Sequence, residues 1–198
     1  MKVTLFKKNP IVYSCNSYLI SGTWNTLKDV NTLIDTGTDD FIFQELQTLS
    51  TGVGKRRVEQ IILTHEHFDH SGGLPILIEN YNPKIIALSE SMPYTHKASE
   101  GMEVMVGDRL AQIFLTPGHS SDSICIYIPE EKMLFSGDTP LFIKSPGGTY
   151  IKEYIAALEL LLSLDITTIY SGHDYPIEKN AHNILLTSYE NVLKSEIL

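Results

Sequence analysis

Four times along this chain an apolar, strand-like run ends in a turn that carries histidine or aspartate. Residues 58–63 lead into THEHFDH, 111–115 into TPGHS, 132–135 into SGDTP and 166–170 into SGHDY. Any fold made from these runs must accommodate ligand-type side chains where its strands stop. Three of the four turns place a glycine directly before that side chain, at Gly118-His119, Gly137-Asp138 and Gly172-His173. Glycine permits the sharp turns and close backbone approach that a crowded centre needs.

The densest turn holds His65, His67, Asp69 and His70. In extended chain, residues i and i+2 point to the same side, so His65 and His67 face one point. Asp69 and His70 then come from the loop or from the start of the next helix. Four such groups on two sides of a turn are too many for one tetrahedral ion but suit two neighbouring ions. The spacing H-x-H-x-D-H arises by chance in roughly a few of ten thousand chains of this composition. A merely polar, histidine-rich loop is therefore disfavoured. His96 and His182 lack ligand-type companions and are expected at the surface.

The remaining pattern supplies a frame. Further strands are expected at 11–20, 30–34, 84–88 and 123–128, with 124–128 nearly continuous in apolar character, as a strand covered on both faces would be. Helical periodicity marks 39–49, 151–163 (Ile151, Tyr154, Ile155, Leu158, Leu162) and the C-terminus (Leu185, Tyr189, Val192, Leu193). A short helix is expected over about 73–80. No linker-like or low-complexity stretch divides the 198 residues, so the expectation is one mixed α/β domain over 1–198.

The formal charge of -9 does not favour a nucleic-acid backbone or an anionic membrane as partner. Lys55, Arg56 and Arg57 form the one dense basic run and are expected to be a solvated edge. The pieces 52–54 and 145–148 are expected loops, and STGVGKRR lacks the spacing of a phosphate-binding loop. Cys15 and Cys125 are expected as buried free thiols. No signal-peptide-like segment and no run near the ~18 apolar residues of a membrane span is present, so a soluble, cytoplasmic protein is expected.

Taken together, H-x-H-x-D-H at 65–70, His119, Asp138, His173, the LIDTG at 33–37 and the SGH at 171–173 resemble the metal-binding signature of the metallo-β-lactamase superfamily. The resemblance implies a four-layer αβ/βα sandwich with the metals at one rim. It implies that His65, His67 and His119 hold one metal, that Asp69, His70 and His173 hold a second, and that Asp138 bridges them. It also places Asp35 beneath the site as a hydrogen-bonding support; a helix cap or loop anchor is the alternative.

Two divalent cations sharing a water lower its pKa towards neutrality and polarise a carbonyl or phosphoryl oxygen. Asp69 and Asp138 would orient the resulting hydroxide, and no serine or cysteine nucleophile is required. Zinc is the expected metal, with iron or manganese also suited to imidazole and carboxylate. A bridging aspartate is similar to glyoxalase II (hydroxyacylglutathione hydrolase), to lactonases and to the tRNA-processing nucleases. The chain has neither the basic surface of the nucleases nor the arginine-bearing continuation of glyoxalase II after GDT, where IKSPGGTY stands instead. The expectation is a glyoxalase II-like hydrolase of a small thioester. Lactone or phosphodiester hydrolysis, or persulfide oxidation at a single iron, is the alternative. Phe142, Tyr150 and Tyr175 are candidate substrate contacts, with ordinary packing as the competing reading.

Overall fold

Side-chain alternation along short strands decides which layer each residue joins. The computed structural model describes residues 1–6, 8–51 and 54–198. Its first half carries β1 (Lys2–Phe6), β2 (Ser17–Ser21), β3 (Thr32–Ile34), α1 (Phe41–Gln47), β4 (Gln60–Ile62), α2 (Phe68–Ser71), α3 (Leu74–Tyr81), β5 (Lys84–Ala87) and β6 (His96–Lys97). The second half carries β7 (Met102–Val106), β8 (Arg109–Leu115), β9 (Ile124–Ile128), β10 (Met133–Gly137), β11 (Thr149–Tyr150), α4 (Lys152–Leu162), β12 (Thr168–Ser171), α5 (Ala181–Leu193) and β13 (Glu196–Ile197). Among the described residues, β1 to β6 form a six-stranded sheet in chain order. A five-stranded sheet runs β12-β10-β9-β8-β7, and β11 pairs with β13.

Each central strand sends alternate residues to two different cores. Tyr18, Ile20, Ile34 and Ile62 point inwards to meet Ile113, Ile124, Ile126 and Phe135 of the second sheet. Their neighbours Leu19, Leu33 and Ile61 pack outwards against Ile42 and Leu46 of α1 and Leu74 and Leu77 of α3. On the far side, Cys125, Tyr127 and Leu134 meet Tyr154, Leu158 and Leu161 of α4 and Leu185 and Val192 of α5. Three apolar layers thus separate helix, sheet, sheet and helix, which is the expected four-layer sandwich. Each fully buried Ile or Leu contributes roughly 1.5–3 kcal/mol of transfer free energy.

Several expectations need correction. The strand read over 11–20 begins only at Ser17, and Ile11, Val12 and Tyr13 are exposed. The backbone before it is drawn off to the ligand-bearing turns: Cys15 N donates to Asp69 O and Asn16 N to Gly172 O. The stripe on α4 is rotated. Tyr154, Ala157, Leu158 and Leu161 are the buried residues, whereas Ile151, Ile155 and Leu162 are only partly covered. On α5 the buried face includes the polar Ser188 and Asn191 in place of Tyr189 and Leu193. These two are satisfied by the segment after Asp138. Ser188 Oγ accepts from Ile143 N and donates to Leu141 O, and Asn191 Nδ2 donates to Ile143 O.

The basic run is not a free edge. Lys55 donates to the carbonyls of Thr26 and Asp29 and pairs with Glu59 at 3.1 Å, Arg56 donates to Tyr81 O and Asn82 O, and Arg57 to Leu49 O. Of the expected 52–54 loop, Gly52 and Val53 lie outside the described residues. His96, on β6, and His182, on α5, are exposed as expected, and Cys15 and Cys125 are buried free thiols. No described helix is long and apolar enough to cross a membrane.

Candidate metal centre

All seven ligand-type side chains come together at the rim where the two sheets end. His65 lies three residues beyond β4, His67 caps α2, and Asp69 and His70 lie on α2 itself. His119 sits in the turn between β8 and β9. Asp138 follows β10 and His173 follows β12. The last two strands are a parallel pair whose register shifts between Phe135 and Gly137, so Gly137 stands opposite Ser171 and both turns leave the sheet side by side.

The donors fall into two groups. His65, His67 and His119 offer ring nitrogens within 4.8 Å of one another, and so do one donor atom each of Asp69, His70, Asp138 and His173. His119 Nε2 lies 3.0 Å from His67 Nδ1. In the second group, His173 Nε2 is 3.1 Å from Asp69 Oδ2 and 3.2 Å from Asp138 Oδ2, and His70 Nε2 is 3.2 Å from Asp138 Oδ1. Asp138 also reaches the first group, with Oδ2 3.7 Å from His119 Nε2. One carboxylate therefore touches donors of both.

Glycine is required at two of these turns. A methyl group on Gly172 would stand 2.2 Å from Asp138 Oδ1 and 2.7 Å from the His70 ring. Gly137 has a φ of +51°, and its Cβ would meet Thr64 Oγ1 at 2.4 Å.

Whether these residues suit metal ions is decided by their unpartnered atoms. His65 Nε2, Asp69 Oδ2, His70 Nε2 and Asp138 Oδ1 are buried and make no well-formed hydrogen bond, although His70 Nε2 faces Asp138 Oδ1 at 3.2 Å and Asp69 Oδ2 faces His173 Nε2 at 3.1 Å. Buried polar atoms are normally satisfied, and four orphans within one cluster of imidazoles and carboxylates fit divalent cations. Burial, followed by the charge on nearby His70, lowers the His65 pKa to about 4, and burial lowers that of His119. Both imidazoles are thus kept neutral, the form that ligates a metal. For His70 burial works against a positive charge, but Asp35 and Asp138 outweigh it and raise its pKa. The same carboxylates would favour a cation at His70 Nε2.

Asp35 supports the site, as the resemblance implied. Its Oδ2 lies 2.8 Å from His70 Nδ1 and accepts from Thr64 Oγ1, while its Oδ1 accepts from Thr64 N. With Nδ1 held by the carboxylate, His70 turns Nε2 towards Asp138. Thr64 ties the sheets together as well, since Ile124 N donates to its carbonyl.

Sequence reasoning missed Thr64 and Tyr13. Tyr13 stacks on His173 at 5.0 Å and 23°, its hydroxyl 3.3 Å from His173 Nε2. No sequence signal marked it, because it stands in a run read as strand. The His173 turn is held from below by Asn16, whose Nδ2 donates to Ser171 O and Asp174 O, and by Lys8, which donates to the His173 carbonyl. Of the aromatic candidates, Phe142 and Tyr175 line a cavity of about 540 Å³ beside His119, Asp138 and His173. Tyr150 does not; it stacks on Tyr154 in the α4 core.

Comparison with known proteins agrees with this geometry. The chain is 31% identical over 151 residues to an atrochrysone carboxyl ACP thioesterase of Aspergillus fumigatus, covering 74% of this chain and 48% of that protein. It is 29% identical to a hydroxyacylglutathione hydrolase of Buchnera aphidicola over 82% of this chain and 64% of that one. The chain thus spans about half to two thirds of the length of these relatives. The crystal structure of ETHE1 from Myxococcus xanthus superposes with a TM-score of 0.70 at 24% identity, over 97% of this chain and 88% of that one, and shares the fold. The profile of the metallo-beta-lactamase superfamily matches residues 10–173. With that match and a rim carrying all seven donors, the chain belongs to the metallo-beta-lactamase superfamily.

Proposed function

We propose that this protein is a metal-dependent hydrolase of small thioesters, hydroxyacyl-thiol esters among them. One observation carries the reading: seven donors converge in two groups, and four of their atoms are buried without a well-formed hydrogen bond. His65, His67 and His119 would hold one divalent cation and Asp69, His70 and His173 another, with Asp138 shared. Zinc suits this donor set, as do iron and manganese. When bound, such cations polarise a carbonyl and lower the pKa of water towards neutrality.

The chain's own residues do the rest. Asp69 and Asp138 accept hydrogen bonds from the attacking water and aim it. Asp35 fixes the ring of His70. The Tyr13 hydroxyl, beside His173, stands ready to donate to a substrate oxygen. Cys15 is no nucleophile, since burial raises its pKa and keeps it protonated. The relatives named as a thioesterase and as a hydroxyacylglutathione hydrolase support thioesters as the substrate class.

The test is thiol release from S-lactoylglutathione and from S-acetyl-N-acetylcysteamine by protein reconstituted with zinc or iron. Release is expected from at least one ester. Asp138→Ala should cut it by well over the ~100-fold typical of an outer support to a metal ligand, with the circular dichroism spectrum retained. No release from either ester with either metal would overturn thioester hydrolysis and bring lactones, phosphodiesters and iron-dependent persulfide oxidation forward.

A further inference from the structure

We infer that the cavity beside Asp138 takes the acyl half of the substrate as an uncharged, apolar chain, and gives no anchorage to an anionic carrier such as glutathione. The inference rests on the thioester reading and narrows it. At about 540 Å³ the cavity has the size of a small-molecule site, and it opens onto His119, Asp138 and His173. Its walls are Pro140, Leu141, Phe142, Ile169, Tyr175 and Ile177. Leu141 and Ile169 are buried, while Phe142 and Tyr175 are 54% and 91% exposed and present aromatic surface to whatever enters.

Three hydroxyls of the lining are engaged within the chain. Ser136 Oγ donates to Gly137 O, Thr139 Oγ1 shares a hydrogen bond with Thr116 Oγ1, and Ser171 Oγ accepts from Asp174 N. Charge points the same way. Among the described residues no lysine or arginine lines the cavity, whereas Asp138 and Asp174 do. Away from the rim that would hold the metal ions, an anion entering here would lose hydration without gaining a side-chain cation. Lys144 rests on the Phe142 ring, 4.6 Å from its centroid, and Lys8, bonded to the His173 carbonyl, faces a separate cavity on the other side of His173, Asp174 and Tyr175; neither belongs to the lining of this one. The wall is also built in advance, because Ser188 and Asn191 of α5 hold the backbone at Leu141 and Ile143.

Burial of one methylene is worth about 0.8 kcal/mol, close to fourfold in an equilibrium or rate constant. The experiment has two arms. In the first, kcat/KM of the zinc-loaded protein is measured on acetyl, butanoyl, hexanoyl and octanoyl esters of N-acetylcysteamine and on S-lactoylglutathione. It should climb about fourfold per methylene up to hexanoyl and leave S-lactoylglutathione below the hexanoyl ester. Phe142→Ala should flatten the climb. In the second arm, calorimetry compares hexanoate, lactate and glutathione binding to the same protein without turnover. Hexanoate should bind at least tenfold more tightly than lactate, and Phe142→Ala should weaken hexanoate alone. A flat series, a preference for S-lactoylglutathione, or glutathione binding more tightly than hexanoate would overturn the inference. If no ester is cleaved, the thioester reading fails and the binding arm alone decides the cavity. Hexanoate binding at least tenfold more tightly than lactate, with the gain lost in Phe142→Ala, would then uphold it, and equal binding of hexanoate and lactate would remove it.

Discussion

At Asp35 a buried carboxylate uses both oxygens on its neighbours: one on Thr64 N, the other on Thr64 Oγ1 and His70 Nδ1. Its backbone is left-handed, with φ of +56°. Aspartate tolerates that conformation better than most residues, though at a cost of order 1 kcal/mol. Asp35→Asn keeps the shape but removes the charge behind His70. It should weaken metal retention by about 10–100-fold, read by competition with a chromogenic chelator, with the fold intact. Gly172→Ala acts by volume instead, since its methyl would overlap Asp138 Oδ1. Metal content by mass spectrometry should fall below that of the wild type in this variant, whereas full loading would show that the turn can give way. The seven donors were legible in the sequence because few residue types ligate metals and their spacing is rare. Thr64 and Tyr13 were not, because threonine and tyrosine are ordinary in strands and only the fold shows what they touch.

Among the elements, β9 was legible as a fully buried strand and matches ICIYI almost residue for residue. The edge strands β1 and β7 were not. Met102–Val106 alternates exposed and buried residues around a charged Glu103, and its partner β8 supplies the pairing that its composition does not advertise. Helix α5 shows why apolar periodicity placed its inner face imperfectly: Ser188 is buried because it hydrogen-bonds backbone at Leu141 and Ile143. Ser188→Ala should strand both groups and cost about 1–3 kcal/mol, seen as a lower urea midpoint with unchanged m-value. Because the same bonds position Phe142, the variant should also raise KM for the longer acyl esters. A change in stability without any change in KM would mean that the cavity wall is held by other contacts.

For the molecule as a whole, three apolar layers tie four tiers together, and the layer between the second sheet and its helices includes the thiol of Cys125. Burial pushes that thiol up to about 11, against the pull of the Thr116 and Thr139 hydroxyls. In the unfolded chain a thiol ionises near 9.0. The native state therefore keeps a proton that the unfolded state gives up. This contribution to stability is full below pH 9, shrinks as pH rises and is lost by about 11. Thermal melts over that window should show a decline in Tm that is shallower in Cys125→Ala. The layered plan followed from the order of strands and helices, but the placing of residues 11–16 over the rim did not, since their hydrogen bonds go to turns far along the chain.

The spread of the donors along the chain has a consequence for biosynthesis. His65 to His70 leave the ribosome about a hundred residues before His173, and His65 and His67 must still wait for His119. The first donor group needs the chain through β8 and the second needs it through β12, so neither is complete before part of the second sheet has been made and docked on the first. A metal held by these donors would therefore enter late in the life of each molecule. The nascent first half leaves the ribosome with unpaired imidazoles and carboxylates that its own later strands must come to cover.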